Sequence, residues 1–324
     1  MQPPRPKGRS ALLALSLLIP VLALASPAGA QLYMPGAKPA VPPKDSTLTI
    51  RVRKLAPGVF AAKVNYVWTG WVELPEGILV IDASMADSSG KALADTIRSR
   101  SPGLPFRYLV LTSAHFDHDL GGRRFLDAGA TLVTHASVAD EIDSVLQVTP
   151  DPKREMRVER SARFGSKLRP VEVLWLGQPA VSRGDLVVYL PAQRLLFSGD
   201  LISYRSVPWL MDPDLDVPGW IASLDSLFTK AFAIDSIVPG HGVIGPKNDA
   251  VNFTKYYLQD ARMKAEQNAA WNSSVLAVKQ WGFLGAYEGL EFYNEVHFMN
   301  MRRLFNEAKG IKTPGRVRTG AFRK

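Results

Sequence analysis

The chain has 324 residues, 46% of them hydrophobic, with a formal net charge of +9 and no cysteine. That length suits one large domain or a domain with an appendage, and the lack of cysteine excludes disulfides, thiolate metal ligands and lipidation at cysteine. The charge does not mark a nucleic-acid surface. Three basic residues lie before position 31 and six from Lys309 onward, and the body between them balances its 30 acidic residues with an equal number of basic ones.

Residues 1–30 read as a secretory signal peptide. Arg5, Lys7 and Arg9 precede an apolar run from Ala11 to Leu24, and Ala28-Gly29-Ala30 fits the small-residue cleavage pattern. The run is about fifteen residues, shorter than the ~20 that a spanning helix needs, and Pro20 interrupts it. Cleavage is therefore expected rather than anchoring. The mature chain is expected to be exported, to the periplasm or outside the cell, without stable insertion in a membrane.

Residues 31–46 are rich in proline and alanine and read as a linker. Strand-like patterns follow: Leu48-Ile50-Val52, Val59 to Val64, Tyr66 to Leu74, and Gly77 to Ile81 closing on Asp82. A helical spacing covers 87–100, and the apolar run Tyr108 to Leu111 leads directly into Thr112-Ser113-Ala114-His115-Phe116-Asp117-His118. Gly121-Gly122 opens a short helix. Residues 149–170, charged and proline-containing, are expected to be an exposed insertion. Further strands are expected at Thr131–Val133, Val171–Leu176, Leu186–Leu190, Arg194–Phe197 and Ser236–Val238, with a helix from Trp220 to Phe232 before the last. From residue 246 to 308 the pattern is helical. Residues 309–324 form a basic tail, with Pro314 and three glycines, that is expected to be disordered.

Polar clusters fall repeatedly just beyond strand ends, where α/β folds build their sites. His115, Asp117 and His118 put three potential ligands within four positions, and imidazole with carboxylate is the set that hydrolytic zinc takes when cysteine is absent. A lone histidine is more often a packed residue; three together favour a metal. Gly121-Gly122 would let the backbone turn closely past the ion. Two remote clusters have the same form: Leu196-Phe197-Ser198-Gly199-Asp200 and Val238-Pro239-Gly240-His241-Gly242.

In this order the motifs resemble those of the metallo-β-lactamase fold superfamily, whose pattern is T-H-x-H-x-D-H-x-x-G, then a G-H-T-type segment, a G-D and a G-H-G. The resemblance spans about residues 47–245. It implies an α/β fold, a four-layer αββα sandwich here followed by a C-terminal helical extension, with Asp82 as a carboxylate that orients metal ligands. Thr112, His115, Asp117, His118, Gly121, Asp200 and His241 match the pattern. Ser113 and Val181 stand where two histidines of the first metal site belong. The resemblance thus implies a crippled first site, left with His115 and a share of Asp200, and a complete second site at Asp117, His118, Asp200 and His241. One zinc ion is expected rather than two, with iron or manganese as alternatives. The Asp200 carboxylate is the feature of the glyoxalase-II-like and broad hydrolase branches.

The expected activity is metal-dependent hydrolysis of a small ester, lactone, thioester or amide. His115 and Asp117 are the catalytic candidates, with His115 released from firm coordination to act as general base or to orient water. Ser113 either bonds that water or satisfies the turn. Trp68, Trp71 and Trp209, with Tyr66, are candidates to line a substrate pocket, or else core residues. His135 and His297 are expected to be structural. The rival reading is a catalytically degraded member that serves as a binding or scaffold protein. A small-molecule substrate is the expected partner. The helical region after Lys247 is expected either to cap the pocket or to form a homodimer contact.

Overall fold

The computed structural model describes residues 48–147, 151, 153–229 and 231–311. The expected signal peptide (1–30), the expected linker (31–46) and residues 312–324 of the expected tail (309–324) lie outside the described residues. The first sheet takes β1 (Ile50–Ala56), β2 (Val59–Val64), β3 (Val67–Leu74), β4 (Gly77–Ile81), β5 (Phe106–Val110), β6 (Thr131–His135) and β7 (Glu155–Val158) in that spatial order. Pairing is antiparallel from β1 to β4 and parallel from β4 to β7. The second sheet includes β8 (Ser161–Gly165), β9 (Pro170–Trp175), β10 (Leu186–Leu190) and β11 (Leu195–Phe197). β12 (Ser203–Tyr204) returns to the first sheet. β13 (Ser236–Val238) lies parallel to β11, β14 (His241–Gly242) joins the first sheet beside β3, and β15 (Gly245–Pro246) edges the second.

Strand parity builds the layers. Ala61, Trp68, Leu79, Val110 and Val133 meet Val173, Val188, Phe197 and Val238 between the two sheets. The alternate residues Phe60, Trp71, Val80, Leu109 and Leu132 face outward onto α1 (Asp87–Arg100), α3 (Arg123–Asp127) and α4 (Ala139–Leu146), where Leu93, Ile97, Phe125 and Ile142 cover them. On the other side Val187, Tyr189, Leu196 and Ile237 are covered by Trp220 and Leu224 of α5 (Val217–Ser226), Tyr257 and Leu258 of α6 (Lys247–Ala270), and Met301 and Leu304 of α8 (Phe298–Ala308). Two short helices, α2 (Phe116–Asp119) and α7 (Val278–Trp281), complete the list of α-helices among the described residues. The architecture is the four-layer αββα sandwich, and strands buried on both faces account for near-continuous apolar runs such as Gly77–Ile81.

Two expectations are corrected. Residues 149–170 are not a mere exposed insertion: within them β7 extends the first sheet beside β6 and β8 edges the second beside β9. Their charge follows from an edge position, where one flank of each strand meets solvent. Gly121 packs against the helix rather than turning past an ion. A Cβ there would stand 2.0 Å from the Ala83 carbonyl oxygen and 2.8 Å from Gly90 Cα.

Candidate metal centre

Strand ends deliver the site. Asp82 follows β4, His115, Asp117 and His118 follow the parallel β5, and Asp200 follows β11. After β13 the chain crosses from the second sheet to the first, and His241 pairs with Val67 of β3, which sets its side chain at the seam between the sheets. Two glycines permit the close approach. Gly199 has φ +50°, and a Cβ there would lie 2.2 Å from Thr112 Oγ1; a Cβ on Gly240 would lie 2.9 Å from Asp200 Oδ1.

One ligand atom each from Asp117, His118, Asp200 and His241 lies within 4.8 Å of the others, and all four residues are buried. Asp200 Oδ1 stands 2.9 Å from His118 Nε2 and 3.0 Å from His241 Nε2, and Asp117 Oδ2 stands 3.4 Å from the latter. Two imidazole nitrogens and two carboxylates at this spacing are a donor set that fits a divalent transition metal. Asp82 orients one of them: its Oδ2 takes the His118 Nδ1 at 2.8 Å, while Thr112 donates to Asp82 from both N and Oγ1. Asp82 adopts φ +58°, a left-handed conformation that aspartate tolerates better than most residues.

The first site of the family pattern is replaced by something else. His115 Nδ1 meets Asp200 Oδ2 at 2.5 Å and His115 Nε2 meets Asp212 Oδ2 at 2.8 Å. Ser113 Oγ accepts the His115 backbone N–H at 3.4 Å, a bond within the turn. Val181 is fully buried in the apolar layer with Leu210 and Trp220.

The charges follow from these contacts. Burial works to lower the His115 pKa, but the bonds to Asp200 and Asp212 outweigh it and hold the ring well above its ordinary value. His118 is likewise held high, against burial, by Asp200 and Asp82. His241 is raised by Asp200 and Asp117 against burial and the His118 charge. Burial favours a neutral Asp200, yet the three histidines keep it well below the usual carboxylate range. His115 thus has a carboxylate on each ring nitrogen, an arrangement that suits a ring holding Asp200 in place.

The aromatic residues read as pocket lining or as core divide between the two. Trp71 is fully buried, stacked on Phe60 at 4.7 Å, with its indole N–H on Ser101 Oγ. Trp68 packs between the sheets and donates to the Gly242 carbonyl. Strand parity turns both into core, so neither lines a pocket. Trp209 is half-buried against the layer under the helices. Tyr66 is the aromatic residue at the site: it stacks on His241 at 5.8 Å and meets Phe292 edge-on at 5.2 Å. Burial, then the Asp117 and Asp200 charges, push its hydroxyl pKa up, so it stays protonated. His135 bonds Ser137 and packs on Trp175, and His297 lies between the Tyr257 hydroxyl and the Gly282 carbonyl. The Asp-rich loop 212–216, with Trp209 and Met211, reads in the sequence as a wall of the site, but nothing local singles out Asp212 as the partner of His115, and Phe292 carries no signal of its own.

A family model described as the metallo-beta-lactamase superfamily matches residues 62–241. A linear primary-alkylsulfatase of Pseudomonas sp. is 25% identical over 221 residues, covering 53% of this chain and 40% of that protein. A type 2 metallo-beta-lactamase of Bacillus cereus is 23% identical over 173 residues, covering 53% of this chain and 65% of that protein. The chain thus spans 40% to 65% of the length of these curated relatives. Among solved structures, a metallo-beta-lactamase from Pontibacter korlensis superposes with a TM-score of 0.57 at 22% identity, covering 65% of this chain and 100% of that one. A stereoselective inverting sec-alkylsulfatase from Pseudomonas sp. superposes with a TM-score of 0.60 at 13% identity, covering 80% of this chain and 50% of that one. At such identities the structural likeness speaks for the fold.

Proposed function

The chain belongs to the metallo-beta-lactamase superfamily, and from that premise we propose that it is a metal-dependent hydrolase holding one transition-metal ion and cleaving a small ester, lactone, thioester or amide. The observation that carries this reading is the four-residue donor set of Asp117, His118, Asp200 and His241 at the seam of the two sheets. Zinc is the expected ion, with iron or manganese as alternatives. When bound there, the metal supplies Lewis acidity at the scissile bond and lowers the pKa of water.

The protein's own groups supply the rest. Asp82 sets the His118 ring so that Nε2 faces the centre. Asp117 is the carboxylate proposed to take the proton that water loses. Tyr66 and Phe292 pack around His241 and shield that side from bulk solvent, and the protonated Tyr66 hydroxyl is a donor available to a substrate oxygen. His115, a donor on both nitrogens, fixes Asp200 instead of acting on water. We place the mature protein outside the cytoplasm on the strength of residues 1–30. No helix among the described residues is long and apolar enough to cross a membrane.

The test measures metal content of the purified chain and turnover on a panel of carboxylic ester, lactone, thioester, β-lactam and primary alkyl sulfate, before and after chelation. One ion per chain and chelator-sensitive turnover of at least one class is the expected result. A fully loaded protein inert to every class, or a chain that takes no metal, would leave the binding or scaffold role.

A further inference from the structure

We propose that Asp212 is a positioning residue of the metal centre, delivered from the C-terminal side of the molecule; the proposal rests on the one-metal reading above. Asp200 is gripped symmetrically. Its Oδ1 meets His118 and its Oδ2 meets His115, and each histidine leans on an outer carboxylate, Asp82 at 2.8 Å on one side and Asp212 at 2.8 Å on the other. The result is a continuous chain Asp82–His118–Asp200–His115–Asp212, buried along its whole length. Asp82 sits at a strand end and is fixed by the sheet. Asp212 sits in a loop and needs another support.

That support comes from residues beyond the family-matched segment of 62–241. Asn300 of α8, fully buried, accepts from Leu210 N at 3.1 Å and donates to the Pro208 carbonyl at 2.8 Å and to the Tyr257 hydroxyl at 2.9 Å. Arg303, also buried, donates to the Asp212 carbonyl at 3.2 Å. Val207 N donates to the Glu291 carbonyl at 2.9 Å. Segment 207–212 is thus held from both flanks, and its end presents a carboxylate whose two oxygens are both occupied as acceptors: Oδ2 by His115 and Oδ1 by Asp214 N at 2.7 Å. An imidazole with a free outer nitrogen can turn about its side-chain torsions; one backed by a fixed carboxylate cannot, and loss of such a partner commonly lowers metal affinity 10–100-fold. Here the restraint passes through His115 to the Asp200 carboxylate, so that Oδ1 stays aimed at the other three ligands.

The experiment titrates zinc alone into the full chain, freed of metal, for wild type, Asp212→Asn and Asn300→Ala, with thermal denaturation of each in the absence of zinc. Asparagine keeps the shape but has one acceptor, so it must set an N–H against either His115 or Asp214 N. The expected result is a Kd raised about 10-fold in Asp212→Asn, the lower end for an outer carboxylate because Asp212 acts through His115 rather than on a ligand directly, a smaller rise in Asn300→Ala, and unchanged stoichiometry in both. A merely structural Asp212 would lower the zinc-free melting temperature and leave the Kd alone. Wild-type affinity in Asp212→Asn overturns the proposal; if that variant does not fold, wild-type affinity in Asn300→Ala does so. A wild-type chain that takes no zinc overturns the one-metal reading as well, which separates the two failures.

Discussion

At the scale of residues, the donor set makes a sharp division. Asp117→Ala or His241→Ala removes one of four candidate ligands, and three protein donors hold an ion much less firmly than four. Each variant should fall from one zinc to well under one per chain by elemental analysis, and should lose the zinc-dependent rise in melting temperature. Full zinc occupancy in either would remove that residue from the centre. The ionisable groups give a second expectation, for zinc-free protein. Burial raises the carboxyl of Asp143 to about 6 and that of Asp185 to about 7, and His115, His118 and His241 are also held above their ordinary values. A group whose folded pKa exceeds its unfolded one stabilises the fold below the unfolded value and loses that contribution as pH rises through the folded value. His135 and His297 are lowered by burial, so their opposing effect is confined to pH below about 6.5, the ordinary value of histidine. The melting temperature of zinc-free protein should therefore fall between about pH 6.5 and 8. A rise across that window, followed by circular dichroism, would contradict the buried network described above.

At the scale of elements, the site depends on how tightly two strand-end turns pass one another. Gly199 and Gly240 follow the parallel strands β11 and β13, and each leaves room that a Cβ would fill. Gly199→Ala combines a left-handed φ with a clash against Thr112, so a loss on the order of 1–3 kcal/mol of stability is expected. Gly240→Ala would press its Cβ on the Gly199 carbonyl at 2.8 Å and on Asp200 Oδ1 at 2.9 Å. It should weaken zinc binding by more than its effect on zinc-free stability accounts for, measured by paired zinc titration and urea denaturation. The motifs around these turns were readable as short patterns because Asp200 and His241 each lie three residues past the end of an apolar strand, β11 and β13, beside a glycine. β7 and β8 were not readable: their sequences carry charge at edges, and edge strands lack the alternating burial that marks a strand in sequence.

At the scale of the whole molecule, the C-terminal helices are one layer of the sandwich and also a support of the site. Tyr257, Leu258, Met301 and Leu304 cover the second sheet, so a chain cut after Pro246 keeps every residue matched by the family model yet uncovers that core. It should be insoluble or should bind a hydrophobic dye strongly while losing cooperative unfolding. Cooperative unfolding of the truncated chain would show that the extension is an accessory. The export reading carries its own measurement: protein recovered from the secretory compartment should have the mass of a chain beginning at Gln31. An intact N-terminus retained in membranes would favour an anchor.

Asp117, His118, Asp200 and His241 were legible as candidate ligands because of their local setting, whereas their grouping into one site, the orienting place of Asp82 and the αββα architecture were implied by the resemblance to the metallo-β-lactamase superfamily. Strand ends, glycine turns and closely spaced histidines and carboxylates leave marks within a few residues of one another. Ser113 and Val181 stood out only against the pattern of that superfamily, which has histidine at both places. What took the place of the first metal site was not legible. Asp212 reaches His115 only because Asn300 and Arg303 fold back across the second sheet, and contacts between such distant segments have no local signature. Whether Tyr66 or the two tryptophans faced the site was also a tertiary matter. Strand parity and the packing of helices on one face and a sheet on the other bury Trp68 and Trp71 on opposite sides of β3. Tyr66, just before the strand begins, is left beside His241.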